Sequence, residues 1–474
     1  MKERLIQLFT ERVGQRPDAI LEMAGDGSTR QYFRLLGGDW GTVVGAIGPD
    51  HEENRAFLDF AKAFKNVGLP VPEIYEEDRE AGVWLEEDLG DTTLFDALSQ
   101  AREDHGDVGF PSRAEELFRK SLSVLPRFQV RGHEVVDYRV AYPRQAFDRR
   151  SIRWDLNYFK YHFLKLAHIE FSEQRLEDDF GRLTELLLEA ESDFFLYRDF
   201  QSRNIMIRGG EPWFIDFQGG RKGALQYDVA SLLYDAKANL PTDVRARLLD
   251  HYLDALKEYA DVDESRFRTA FDGFVLVRLM QAMGAFGYRG FFERKRRFLE
   301  SVPFAAKNLE GLLDSGLPID LPELENVFRH IVDRWAGEDP GVGESSRLTV
   351  SVGSFSFKRG YPEDKTGHGG GTVFDCRGLP NPGRLEEFKE LTGRDEPVAD
   401  FLERSSEVQE FWENVRGIIE GHVRSYLSRD FSDLSVSFGC TGGQHRSVFM
   451  AEKLAGHIES VFPSVTVSLS HREL

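Results

Sequence analysis

Residues 194–218, FFLYRDFQSRNIMIRGGEPWFIDFQ, restrict the fold more than any other stretch of this chain. Phe194 to Tyr197 reads as a short apolar strand. Ile205 to Ile207 and Trp213 to Ile215 read as two more, separated by Gly209-Gly210. Glycine at both turn positions supplies the backbone freedom a tight hairpin needs. Closing that hairpin sets the start of its first strand beside the end of its second, which makes Asn204 and Asp216 neighbours. Asp199 lies on the loop that enters the hairpin. Asp and Asn are also ordinary turn residues, but here the hairpin brings three oxygen-bearing side chains together. Mg²⁺ prefers oxygen ligands and commonly takes one or two carboxylates plus phosphate oxygens. Asn204 and Asp216 supply such a set, and Asp199 is placed to orient a hydroxyl and accept its proton.

The rest of the chain fits this core. Its 474 residues are too many for one hydrophobic core, and two to four domains are expected. A net charge of -21 disfavours general binding to nucleic acid or anionic membrane. The most apolar run, GFVLVRLMQAMGAFG, carries Arg278 and Gln281 and falls short of a membrane span. The opening MKERLIQLFTERVGQ lacks a signal-peptide core and reads as an amphipathic helix with Leu5, Ile6, Phe9 and Val13 on one side. With only Cys376 and Cys440, a reducing cytoplasm is the expected location.

The expected first unit spans 1–335, a sheet-rich lobe to about residue 90 followed by a helical lobe. Gln31–Leu36 and Thr42–Ile47 form a hairpin around Gly37, Gly38 and Asp39. A helix follows, with Asp50 and Glu53 at capping-box spacing and Phe57, Phe60, Ala61 and Phe64 as its apolar stripe. VWLEEDLG is a strand running into an acidic turn. Helix dominates from about residue 112. Residues 336–347, AGEDPGVGESSR, form a linker, and 348–474 a smaller unit.

Asp-x4-Asn followed by Ile-Asp-Phe matches the kinase catalytic loop and its metal aspartate. With GDGSTRQYFRL, VWLEEDLGDTTL, YRDFQSRNIMI, WFIDFQGG and QYDVASLLYD, the first unit resembles the aminoglycoside phosphotransferase-like kinases. Within them it is most similar to the bacterial kinases of cell-wall recycling that act on the anomeric hydroxyl of N-acetylmuramate and N-acetylglucosamine. The resemblance implies an α+β, protein-kinase-like bilobal fold with ATP and Mg²⁺ as cofactors. It implies Asp199 as catalytic base, with Asn204 and Asp216 as metal ligands. Gly25, Gly27, Ser28, Thr29 and Arg30 would bind the ATP phosphates, and Glu87, Asp88 and Leu89 the adenine. Asp228 would brace the catalytic loop. Two departures stand out. Tyr197 replaces the usual histidine, and TVVGAI lacks the phosphate-binding lysine that Glu52 or Glu53 would pair with. Residues 142–165 place Trp154, Tyr158, Phe159 and Phe163 at helical spacing, read as core-facing; Arg149, Arg150 and Asp155 are candidates for the acceptor pocket.

In the smaller unit, Val436–Phe438 reads as a strand, GCTGGQHRS as a glycine-rich turn, and Val448, Ala451, Leu454 and Ala455 as a helical stripe. That order aims backbone N–H groups and a helix N-terminus at an anion, with Thr441, His445 and Arg446 as further donors. Cys440 to Arg446 also has the Cys-x5-Arg spacing of cysteine-dependent phosphatases, with Asp375 and Asp364 as candidate acids. FSFKRGYP, VFDCRGLPNP, LTGRDEPVADFL and GCTGGQHRSV resemble the C-terminal domain of RapZ, the bacterial RNase adapter. That implies an α/β domain with Cys440, Thr441, Gly442, Gly443, His445, Arg446 and Ser447 around a hexosamine phosphate. It also implies RNA as a partner, although the closing VSLSHREL carries no lysine cluster. Three readings follow: a sugar kinase with a hexosamine-phosphate-binding domain, a ligand-sensing adapter with a weak kinase, or a kinase–phosphatase fusion. The histidines His368, His422 and His445 fit no zinc spacing.

Overall fold

The computed structural model describes residues 1–23, 30–38, 41–106, 109–337, 348–362, 371–428, 431 and 433–474. The chain divides into two compact units, Met1–Gly287 with Ser301–Asp339, and Tyr288–Glu300 with Pro340–Leu474.

The first unit opens on helix α1 (Lys2–Val13). A five-stranded antiparallel sheet follows, built from β1 (Ala19–Met23), β2 (Gln31–Leu36), β3 (Thr42–Ile47), β4 (Ile74–Asp78) and β5 (Val83–Glu87), in the order β1-β2-β3-β5-β4. Strand alternation sorts its two faces. Phe33, Leu35, Val43, Ile47, Val83 and Leu85 form one core with Leu5, Leu8 and Phe9 of α1. Leu8, not among the expected stripe, is buried there, Val13 packs partly buried against the same core, and Ile6 is half-buried. Gly45 permits the approach: a side chain there would meet Leu35 at 2.6 Å and Leu5 at 2.9 Å.

The opposite face carries Tyr32, Ala46, Trp84 and Glu86. Helix α2 (His51–Asn66) packs toward it, with Phe57 5.5 Å from Trp84. Asp50 caps α2 through the N–H groups of Glu52 and Glu53. Glu53 does not close the reciprocal half of a capping box; its carboxylate turns to Arg30. Phe57, Phe60, Ala61 and Phe64 are all buried, as the stripe required; each ring contributes roughly 1.5–3 kcal/mol of burial.

The helical lobe begins with α3 (Leu94–His105), which Thr93 and Asp96 open with a full capping box. Helix α4 (Ser112–Pro126) follows. The remaining helical lobe encloses two small sheets, β6 (Phe194–Leu196) with β9 (Arg221–Gly223), and β7 (Ile205–Arg208) with β8 (Glu211–Phe214). In the helix Arg149–Phe159 and the turns after it, Phe159 and Phe163 are fully buried. Trp154 is not core: it is 46% exposed, with Arg144 and Arg150 over its ring.

The second unit holds a parallel sheet of β10 (Thr349–Ser356), β11 (Thr372–Asp375), β12 (Asp433–Cys440) and β13 (Thr466–His471), ordered β11-β12-β10-β13. Val350, Val352, Val436 and Phe438 meet Met450, Leu454 and Ile458 of the helix Arg446–Val461 in its core. The register pairs Ser356 with Cys440 and Asp375 with Gly439, so three strands end together. Ligands of parallel sheets gather at such carboxyl ends. Among the described residues, no helix is long and apolar enough to cross a membrane.

Candidate active site

Strand β6 delivers Tyr197 and Arg198 to a loop that is held from below. Asp228 is fully buried. It accepts the backbone N–H of Tyr197 at 2.8 Å, that of Arg198 at 3.0 Å, and Nε2 of Gln129 at 3.3 Å. Burial pushes its carboxyl up to about 7, against the pull of those three donors. Arg198 takes a left-handed backbone, φ 82°, a conformation that costs a side-chain-bearing residue about 1–3 kcal/mol. The two N–H bonds to Asp228 and a bidentate pair with Asp155, both contacts 2.7 Å, hold it there. Asp155 is therefore a brace for the loop.

The next residue, Asp199, is thereby held in place and is half-buried. Its backbone oxygen accepts Nδ2 of Asn204 at 2.9 Å, and the same amide nitrogen donates to Oδ2 of Asp216 at 3.0 Å. Both amide hydrogens are spent, which leaves the side-chain oxygen of Asn204 to act as an acceptor. The backbone N–H of Ile215 closes on the carbonyl of Asn204 at 3.1 Å. The hairpin of β7 and β8 has thus brought Asn204 and Asp216 together, as the turn at Gly209-Gly210 required. Ser202 is fixed through its hydroxyl to Asp235 at 2.6 Å.

Tyr197 does structural work in place of a histidine. Its hydroxyl donates to the carbonyl of Ile215 at 2.6 Å and so ties the catalytic loop to the residue before Asp216. Asp216 itself is left-handed, φ 67°. Gln218 donates to its Oδ1 at 2.7 Å. Burial, then the nearby charge of Asp199, raise the Asp216 carboxyl to about 6, while Gln218 and Arg30 act in the opposite sense. Phe217 stacks on Phe57 at 5.0 Å and meets Phe64 edge-on at 5.4 Å, which links Asp216 to α2. Gly219 lies against the loop: a side chain there would sit 3.4 Å from Oδ2 of Asp199.

The arrangement fits a divalent cation. The half-buried carboxylate of Asp216 and the amide oxygen of Asn204 form a hard, oxygen-only donor pair, with the half-buried Asp199 nearby. Among the described residues no group of three or more His, Cys, Asp or Glu gathers for a metal. A site of one carboxylate and one amide would thus be completed by the phosphates of a nucleotide.

Strand β3 carries no amine, and of the residues expected at the ATP phosphates the structure describes Arg30. Arg30, just before β2, is 4% exposed. Its guanidinium lies 3.4 Å from Glu53, 5.3 Å from the Phe57 ring and 5.5 Å from the Trp84 ring. Its charge acts on Asp216. The signal available was the hairpin register, in which Gln31 faces Ile47, putting residue 30 beyond the end of β3 next to α2. Gly25, Gly27, Ser28 and Thr29 lie outside the described residues. The side chains of Glu87 and Asp88 are engaged in ion pairs, Glu87 with Lys65 and Arg208, Asp88 with Arg34. Leu89 is buried.

In the second unit, β12, the turn after Cys440 and the helix Arg446–Val461 form the expected strand, loop and helix. Sγ of Cys440 accepts the N–H of Gly443 at 3.2 Å and lies 3.2 Å from Oγ of Ser447. Gly443 is left-handed, φ 73°, and a side chain there would collide with Glu473 at 2.4 Å. His445 reaches the carbonyl of Phe388 at 2.9 Å. Asp375 is tied to Arg377; Asp364 and His368 lie outside the described residues.

A strand-rich lobe, a helical lobe, and an Asp, Asn and Asp set held by a buried aspartate define a kinase-like phosphotransferase. Residues 20–265 match the phosphotransferase enzyme family, and residues 348–474 match the RapZ C-terminal domain. The chain belongs to the phosphotransferase enzyme family and carries a RapZ C-terminal domain. It is 30% identical over 315 residues to an N-acetylmuramate/N-acetylglucosamine kinase of Pseudomonas aeruginosa, covering 65% of this chain and 88% of that one. It is 34% identical over 250 residues to a nucleotide-binding protein of Cupriavidus pinatubonensis, covering 49% of this chain and 80% of that one. Other nucleotide-binding relatives are spanned over 55% to 59% of their length. A solved choline kinase of Cryptosporidium parvum Iowa II is 11% identical, with a TM-score of 0.46, covering 69% of this chain and 100% of that one.

Proposed function

We propose that this protein is an ATP- and Mg²⁺-dependent sugar kinase that phosphorylates the anomeric hydroxyl of an N-acetylated amino sugar, N-acetylmuramate or N-acetylglucosamine. The observation that carries the reading is the junction of Asp199, Asn204 and Asp216, with Asn204 bonded to both aspartates. Bound there, Mg²⁺ would neutralise charge on the phosphates of ATP. Asn204 and Asp216 would hold it. Asp199 accepts a hydrogen bond from the sugar hydroxyl and takes its proton as the phosphoryl group arrives. Arg30 supplies positive charge on the phosphate side. Glu87, Asp88 and Leu89 offer backbone groups to adenine. The match to the Pseudomonas aeruginosa kinase supports the choice of sugar. We place the activity in cell-wall recycling in the cytoplasm, consistent with two unpaired cysteines. The loop from Cys440 to Ser447, with Thr441, Gly442, Gly443, His445 and Arg446, would bind a hexosamine phosphate.

The test is to incubate the protein with Mg-ATP and a panel of sugars, and to follow ADP release and loss of the reducing end. ADP release on an N-acetylated amino sugar, lost in Asp199→Asn, is expected. No turnover on any sugar, amino alcohol or aminoglycoside would refute the kinase reading. Turnover with the reducing end intact would refute the anomeric assignment alone.

A further inference from the structure

The loop after β12 holds more than an anion cradle needs. Arg446 is 4% exposed. Its Nη1 is anchored on two backbone carbonyls, those of Arg377 at 2.8 Å and Leu379 at 3.0 Å. Its Nη2 reaches Oγ1 of Thr441 only at 3.5 Å, and its buried Nε has no hydrogen-bond partner. Nε and Nη2 share the edge of the guanidinium that grips a tetrahedral oxyanion bidentately. The anchoring through Nη1 therefore orients that edge and leaves it for a ligand.

The sulfur at the base of the same loop is equally prepared. Sγ of Cys440 accepts the N–H of Gly443 and lies 3.2 Å from the hydroxyl of Ser447, which becomes the donor once the sulfur is ionised and can only accept. Ser447 is fully buried, so its hydroxyl is committed to this contact. Burial alone would raise the Cys440 thiol, but bonds from the Ser447 hydroxyl and N–H and from Gly443, with the charge of Arg446, bring it below the ordinary cysteine value. Cys376, buried one strand away, is pushed up by desolvation and by Cys440, and stays a thiol. A phosphate sensor needs the arginine and the N–H groups. It has no use for hydrogen-bond donors aimed at a sulfur.

We propose that the Cys440–Ser447 loop is a thiolate-dependent phosphomonoesterase site for a sugar phosphate, with Cys440 as nucleophile, Arg446 as the phosphate clamp and Ser447 as the donor that holds the thiolate. This rests on the reading of that loop as a sugar-phosphate site. The Cys440 thiolate attacks phosphorus opposite the ester oxygen. The S–P bond forms as the P–O ester bond breaks, and the departing alkoxide takes a proton from water, leaving hydroxide. That hydroxide then attacks the phosphocysteine; the S–P bond breaks, inorganic phosphate leaves and the thiolate returns. Water is the sole co-reactant, and the sum is hydrolysis of one phosphate ester.

The test uses the full chain without ATP, which silences the kinase reaction. Phosphate release is followed from glucosamine-6-phosphate, N-acetylglucosamine-1-phosphate and para-nitrophenyl phosphate, with calorimetric binding of the two sugar phosphates alongside. Expected are release from at least one substrate, a loss of at least ~10²-fold in Cys440→Ser with binding retained, and a phosphoryl adduct on Cys440 after acid quench. Ser447→Ala should lower the rate about 10-fold and move the rising limb of its pH profile upward, a shift a merely structural serine would not cause. Iodoacetamide should label Cys440 before Cys376 and be blocked by inorganic phosphate, a readout that needs no variant to fold. Binding of a sugar phosphate with no phosphate release, or release unchanged in Cys440→Ser, overturns the esterase proposal alone. No binding by either the wild type or Arg446→Ala removes the underlying site and the proposal together.

Discussion

Arg30 and Glu53 meet at 3.4 Å in the cleft between the β-sheet and α2, with the arginine side chain 2% exposed and the glutamate 26%. A cation on the strand side and a carboxylate on the helix are joined here with the arginine contributed from just before β2, since β3 offers only Thr42, Val43, Val44, Gly45, Ala46 and Ile47. Arg30→Met should raise the KM for ATP at least ~10-fold, the scale of losing a charged contact to phosphate. Arg30→Lys should recover part of that, because an ammonium keeps the charge but loses the planar fork. Glu53→Gln should show the same direction with a smaller size. Steady-state kinetics with sugar held saturating reads all three, and an unchanged KM in Arg30→Met would remove Arg30 from the nucleotide site.

Glu86 gives a pH-dependent prediction. It faces the cleft side of β5, accepts the indole N–H of Trp84 at 2.7 Å, and is raised to about 7 by burial, with Trp84 and Arg30 opposing. Its folded value lies above its unfolded one, so the folded state binds the extra proton between about 4.5 and 7. Stability from this group is complete below that window and is lost as pH rises through it. Glu86→Gln keeps an acceptor for Trp84 and has no charge to bury. It should match the wild type near the bottom of the window and exceed it at pH 8 by ~1–3 kcal/mol. Urea midpoints across that range check the trend; a constant difference would contradict it.

The pair of Arg198 and Asp155 is nearly dry and bidentate. Asp155→Ala strands the guanidinium and should cost about 3–5 kcal/mol. The double variant Asp155→Leu with Arg198→Met should be more stable than either single change, yet poorly active, because the left-handed backbone at Arg198 loses one of its holds. Denaturation and turnover measured on the same three proteins separate the two effects.

Tyr197→Phe retains the ring and deletes one hydroxyl. Burial, with Asp216, Asp228 and Asp199 nearby, raises the phenol further above its ordinary value, so it remains a donor at any working pH. Loss of its bond to Ile215 should cost about 1–2 kcal/mol and lower kcat more than it raises the KM for ATP. A variant of unchanged kcat would show that the tie does not position Asp216.

What the sequence made legible follows from contact distance along the chain. The hairpin that joins Asn204 to Asp216 closes over twelve residues, with Gly209-Gly210 at its tip, so local turn chemistry was enough to read it. The stripe of α2 and the strand, loop and helix around Cys440 were equally local. The partnership of Arg30 with Glu53 was not, because it depends on how a helix lies against a strand register. Nor was that of Asp155 with Arg198, 43 residues apart, which the helical spacing around Asp155 does not announce. Trp154 was read as core with Phe159 and Phe163, but steps of five and nine residues at about 100° per residue set it on the opposite side of the helix from them, and it faces out under two arginines. The helix from Leu94, opened by the cap of Thr93 and Asp96, lies before residue 112, where helix was expected to dominate.

The lysine-free β3 has a chemical consequence. An ATP analogue bearing an acyl group on its phosphate reports on kinases by transferring that group to an amine beside the nucleotide, and a guanidinium, always protonated, is no nucleophile for it. This phosphotransferase should therefore stay unmarked by such a reagent while fully loaded with nucleotide. A silent signal in a chemoproteomic survey would mean a different cation at the phosphate and carry no information about whether the enzyme was present or working.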